Sequence, residues 1–155
     1  EGEKAVAFSS VARATGLAGA SLVQRYGPLP QMVEAALAWA WDEMDRLAAM
    51  LEAEVPAGAT GGSGAGAKAA QALLKALGER GQPVPLTALL AASLRSAALR
   101  QRAGDWRARV LAMLAARLRD RDLAAMVFAA WQGQVLWDGL GERGFRLKDL
   151  VKKLG

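Results

Sequence analysis

Apolar residues along this chain recur in steps of three and four, and breaks rich in glycine and proline separate one run from the next. Such steps trace one face of an α-helix. The runs predict helices over about Ser9–Thr15, Ala18–Tyr26, Pro30–Glu54, Ala67–Leu77, Leu86–Gln101, Asp105–Arg119, Asp122–Leu140 and Leu147–Leu154. Ser9 or Ser10 can cap the first helix and Gly16 stops it. Pro30 suits the first turn of the third, where a missing N–H costs nothing. In that third helix Met32, Ala36, Trp39, Met44, Leu47 and Leu51 can share a broad buried face. The helix from Asp122 carries Leu123, Met126, Val127, Phe128, Trp131, Val135 and Trp137 in almost every direction. That predicts burial on all sides and, in so short a chain, against a second subunit. The strongest boundary is Pro56–Gly66, PAGATGGSGAG, which holds five glycines and no large apolar residue. It reads as a flexible loop. Further breaks fall at Gly16–Gly19, Gly27–Pro30, Gly78–Pro85, Gly104 and Gly139–Gly144.

Composition sharpens the helical reading. Hydrophobic residues make up 53% and charged residues 23%, the balance of a folded chain. Alanine and leucine dominate and isoleucine is absent. Unbranched side chains lose little rotamer freedom in a helix, so the expected fold class is all-α. Cysteine and histidine are both missing. That removes a disulfide framework, a Cys/His zinc site, a Ser-His-Asp triad and a Cys-His dyad. No catalytic residue, metal or cofactor is expected. The start, Glu1–Lys4, is charged and no apolar run follows it, so no secretory leader is read there. The longest uncharged stretch outside the glycine-rich loop, Leu123–Trp137, is shorter than the roughly 20 residues a membrane span needs. A cytoplasmic protein without a membrane partner is expected. The net charge of +5 is compatible with nucleic acid. An arginine, alanine and glycine bias of G+C-rich coding explains it equally well.

The string with the most functional content is FSSVARATGLAGASLVQRYG, Phe8–Gly27. It reads as two short helices joined by a tight turn at Gly16. Val11 and Ala12 face inward from the first helix, Leu17 plugs the turn, and Leu22 and Tyr26 face inward from the second. Helices joined so tightly cross steeply, which is the helix-turn-helix geometry whose second helix can enter a major groove. The string resembles the signature of bacterial TetR-family transcriptional regulators. Val11-Ala12 stands at that family's Ile-Ala pair, Thr15-Gly16-Leu17 at its Ala-Gly-Val turn, and Ser21-Leu22 at its Thr-Leu. Tyr26-Gly27 stands at its Phe-Gly, and Met32 at the leucine opening the core face of the next helix. The ending, AAWQGQVLWDGLGERGFRLKDLVKKL, is similar to the family's in architecture: a long helix with an internal glycine, a short loop, then a small amphipathic helix.

The resemblance implies a helix-turn-helix region over 1–33 and a helical effector-binding and dimerisation domain over 34–155. It implies a homodimer that binds a double-stranded DNA operator, as a repressor, and leaves it when a small-molecule effector binds. Outward residues of the motif are the expected DNA contacts. Gln24 and Arg25 can address adenine and guanine edges, Ser21 and Arg13 phosphates, and Tyr26 completes the set. The expected effector pocket is lined by Trp41, Met44, Leu94, Met113 and Phe128. The expected dimer contact is a four-helix bundle through Leu114, Leu118, Val127, Trp131 and Val135.

Three departures from the family pattern bear on function. Val23 stands where a phosphate-binding tyrosine is common, and Leu29 where a lysine is common. Only seven residues precede Phe8, so the helix that packs under the motif in this family is expected to lie outside this sequence. Residues 1–33 carry Lys4, Arg13 and Arg25 against Glu1 and Glu3, a net of +1. An alternative is therefore a helical dimeric ligand-binding or interaction protein with degraded DNA binding.

Other features read more plainly. GGSGAGAK, Gly61–Lys68, lacks the lysine spacing, the following Ser or Thr and the preceding strand of a phosphate-binding loop. The arginines from Arg95 to Arg121 interleave with Asp105, Asp120 and Asp122, as on a solvated face with local ion pairs.

Overall fold

The computed structural model describes residues 6–54, 64–80, 82–137, 140–141, 145–147 and 149–150. Among them it is all-helical. The helices are α1 (Phe8–Thr15), α2 (Gly19–Tyr26), α3 (Leu29–Glu54), α4 (Ala65–Glu79), α5 (Leu86–Ser93), α6 (Ala97–Leu118) and α7 (Arg121–Trp137). No helix among the described residues is long and apolar enough to cross a membrane. Most of the expected Pro56–Gly66 loop lies outside the described residues, as do positions 148 and 151–154 of the expected last helix.

Among the described residues, the helix boundary that sequence misplaced most lies between α5 and α6. The chain breaks at Leu94–Ser96, not at Gly104, and α6 runs unbroken through that glycine. The physical reason is the cap. Ser96 Oγ accepts from the Leu99 N–H at 3.3 Å and starts α6 firmly. A glycine inside a long helix costs only about 1 kcal/mol against alanine, too little to end it. Elsewhere side chains close the termini in the same manner. Gln82 ties the end of α4 to the start of α5, donating to the Leu77 carbonyl at 2.9 Å and accepting from the Leu86 N–H at 3.2 Å. Asp120 Oδ1 accepts from the N–H groups of Asp122 and Leu123 at 2.9 Å each and opens α7.

The core lies among α3, α4, α5, α6 and α7. Its centre is aromatic: Trp106 packs on Trp41 at 5.7 Å, Phe128 at 6.0 Å and Trp131 at 6.5 Å between ring centroids. Trp41 Nε1 donates to Ser93 Oγ at 3.1 Å, and that hydroxyl donates on to the Leu89 carbonyl at 2.8 Å. Trp106 Nε1 is buried with no hydrogen-bond partner among the described residues. The buried face of α3 is Met32, Ala40, Trp41, Met44, Ala48 and Leu51. Ala36 and Trp39, expected inside, are exposed instead. Trp39 and Trp41 cannot both face the core of one helix, and the pairing with Trp106 selects Trp41.

Candidate nucleic-acid interface

α1 and α2 form a small head. Their substantial contacts are with each other and with α3, which runs unbroken across positions 33 and 34 into the body. Local chemistry shapes the turn. Ser10 Oγ accepts from the Ala7 N–H at 3.0 Å and opens α1. Gly16 takes a left-handed conformation, φ 70°, and its N–H donates to the Ala12 carbonyl at 2.9 Å. Glycine carries that conformation without a Cβ penalty. Gly27 closes α2 at φ 72°, where an added Cβ would stand 2.4 Å from Gln31 Oε1.

Leu22 is the buried residue of α2, and Met32 on α3 is the next buried position along the chain; neither belongs to the body's core. Arg13, Ser21, Gln24, Arg25 and Tyr26 are all solvent-exposed. The Arg25 guanidinium lies 5.6 Å from the Tyr26 ring centroid, a cation–π arrangement that holds it at the end of α2. Tyr26 therefore does not face inward as its spacing suggested. Leu17 does not plug the turn either: it is 48% exposed, and Val23 is 47% exposed. Val11 and Ala12 are half-buried, and α1 has no fully buried side chain.

The other two expected clusters are relocated. Trp41, Met44, Met113 and Phe128 are packed into the body's core, while Leu94 sits on the α5–α6 turn at 76% exposure. They do not line one pocket together. Leu114, Val127 and Trp131 are also core residues, and Leu118 and Val135 pack half-buried against that core. Leu114, Val127 and Trp131, fully buried, offer no face to another chain, whereas Leu118 and Val135 keep part of their surface open. The outward faces of α6 and α7 are different residues. An open groove of about 700 Å³ between these helices is lined by Ala108, Leu111, Ala112, Ala115, Ala116 and Ala125, with Arg119, Asp120 and Arg121 at one end. Alanine reads as core or surface alike, so large residues drew the expectation. The recurrence of alanine at 108, 112 and 116 was the available signal. A second groove of about 520 Å³ runs past Trp39, Leu47, Met50 and Pro83.

The arginines of α6 divide by role. Arg102 pairs with Asp42, and Arg109 pairs with Asp45 at 2.7 Å. That hydrogen bond raises the Arg109 guanidinium pKa above its ordinary value. Arg117 is buried and donates to the Met113 carbonyl at 2.8 Å. Burial pushes its pKa down, and the charge of Glu52 works the other way. No protein-family model, curated protein or solved structure matches the chain.

Proposed function

We propose that the chain is a TetR-type DNA-binding transcriptional regulator, a homodimer released from operator DNA by a small-molecule effector. The observation that carries this reading is the head: two short helices in tight contact, with Ser21, Gln24 and Arg25 exposed on the second and one long helix leading into the body. A helix presented this way can lie in a major groove, and two such heads one helical turn apart read two half-sites. An effector shifts binding only as far as it favours one head spacing over another.

The dimer contact in this reading is the α6–α7 groove. Asp105, Ala108, Ala112, Ala116 and Arg119 form a stripe along α6 in steps of three and four. Two copies packed antiparallel about Ala112 place Asp105 opposite Arg119 of the partner subunit, and alanines between them allow close approach. Light scattering tests it. Ala112→Arg should give monomers, and Asp105→Arg should weaken a dimer that Arg119→Asp restores.

The central test is a shift assay on promoter fragments across a salt series. Specific binding at low salt is expected, and Arg25→Ala should weaken it about 5- to 150-fold if a bidentate base contact is lost. Lys4, Arg13 and Arg25 give six cations per dimer, so the slope of log K against log salt should be no steeper than about −5. A slope near −8 would place further arginines of the body on DNA. Absence of specific binding by an intact dimer would favour the second reading, a ligand-binding or interaction protein with degraded DNA binding. The exposed Val23 in mid-α2 and the net charge of +1 over 1–33 speak for it.

A further inference from the structure

The head goes where α3 goes, because α3 is the helix with substantial contacts to both head and body. Its seat on α6 has two layers. The lower layer is apolar, with Trp41 against Trp106 at its centre. The upper layer is a row of polar pairs with every acceptor on α3 and every donor on α6 or its cap. Glu34 accepts from Ser96 Oγ, and Asp42 accepts from Arg102 Nη1. Asp45 accepts from Arg109 Nε and Nη2 at 2.7 and 3.2 Å. Glu52 acts on both Arg109 and Arg117 through its charge. The residue numbers climb together on both helices, so α3 and α6 run parallel.

Parallel helices place like macrodipole ends side by side and gain nothing from dipole alignment. The Trp41–Trp106 contact lies in the middle of the seam, and toward the head, between Met32 and Ala40, no buried α3 side chain resists a small shift. The paired positions are unevenly spaced, 34, 42 and 45 on α3 against 96, 102 and 109 at α6, so a slide of α3 that keeps one pair breaks the others, and such pairs specify register more than they add affinity. The rung nearest the head is the most exposed to motion. Between Met32 and Ala40 no α3 residue is fully buried, and Glu34–Ser96 crosses that stretch. Ser96 is at the same time the cap of α6.

We propose that the α3–α6 ladder, closed at its head end by Glu34–Ser96, fixes the axial register of α3 and so the position of the head on the body. Glu34, Asp42 and Asp45 are positioning residues: they act on the head through α3 and touch nothing that the head would bind. That the head's position matters for operator spacing rests on the DNA-binding reading. The ladder's hold on the head does not.

The chain has no cysteine, so two introduced ones can be spin-labelled without background. Ala14→Cys on α1 and Ala91→Cys on α5 are both exposed positions, and dilution with unlabelled chain keeps the distances within one subunit. Asp42→Lys with Asp45→Lys should broaden the distance distribution and move its mean by about 5 Å, one helical turn, since packed helices shift in such steps. Adding Arg102→Asp and Arg109→Asp should restore the native distribution. Glu34→Ala alone should broaden it. An unchanged distribution in the folded, charge-reversed chain overturns the proposal. Should that variant not fold, Asp42→Asn with Asp45→Asn, which removes the acceptor charges without adding repulsion, decides in the same way. A ladder-dependent distance in a protein that binds no operator would uphold the ladder and refute the regulator reading.

Discussion

Two helical glycines of this chain should respond to alanine with opposite sign. Gly66 sits in the first turn of α4, where a Cβ would stand 2.1 Å from the carbonyl oxygen of Arg117 on α6. Ordinary contact begins at 3.4 Å, so the two backbones must part by roughly 1.3 Å, the difference between these two distances. Neither side of the clash is a flexible side-chain end that could swing away. Overpacking of this kind costs about 1–3 kcal/mol. Gly104 lies in the middle of α6 with no atom within 4 Å of its added Cβ. Alanine there should gain about 1 kcal/mol from helix propensity alone. For a chain of this size each kcal/mol moves the melting temperature by about 2–4 °C. Gly66→Ala should therefore melt roughly 4–8 °C below the native chain for a loss of about 2 kcal/mol, and Gly104→Ala about 2–4 °C above it. Calorimetry on both variants, at one protein concentration, reads the contrast directly. Equal or raised stability of Gly66→Ala would mean that α4 does not cross α6 at this point.

The two core tryptophans should also differ. Trp41→Phe removes a hydrogen bond to Ser93, whereas Trp106→Phe removes a buried N–H that has no partner among the described residues; in urea titrations the second should cost less by about 1 kcal/mol. Leu22→Ala should lose the head and spare the body, because Leu22 stands outside the main core. Hydrogen exchange should then accelerate across α1 and α2 while the main melting transition stays in place. The Glu54–Arg80 pair, 2.7 Å apart, lowers the Glu54 pKa chiefly through its hydrogen bond. A depressed carboxylate pKa contributes stability above the unfolded value and loses it as pH falls through the folded value. Any stability difference between the native chain and Arg80→Gln should thus be level at neutral pH and vanish on acidification below the usual glutamate range.

Helices were legible wherever apolar period and stop signals agreed. α1, α2 and α3 begin and end within a few residues of their expected places because Gly16, Gly27 and the prolines punctuate them strongly. Gly104 misled because glycine weakens a helix without necessarily ending it, while Ser96, the true start of α6, looks like any surface serine until its hydroxyl is seen on the Leu99 N–H. The direction of side chains was less legible. Leu114, Val127 and Trp131 were expected at a subunit contact because they are large and apolar. Those three are taken up by the chain's own core; alanines line the outer face of α6, and Met126, Leu136 and Trp137 stand exposed on α7. Ion pairs between α3 and α6 join positions about sixty residues apart, and nothing in local spacing announces them.

Head and body are built to different standards of burial, and this has a mechanical consequence. The body closes around four aromatic rings and a wall of leucines. The head's sixteen residues in α1 and α2 have one fully buried side chain of their own, Leu22. A single leucine cannot offset the backbone entropy of ordering two helices, so the head depends on its junction with α3 and on whatever its exposed face meets. Leu17 and Val23 leave apolar surface on that face, which makes the isolated head the first region to open. The firmest part of the molecule and its sparsely buried head are thus joined by one helix, and the polar ladder lies along the seam where that helix meets the body. Control over the head is then best exerted at that seam, because a shift of α3 there displaces the head as a unit, whereas a change deep in the core would have to disturb the aromatic packing to be felt.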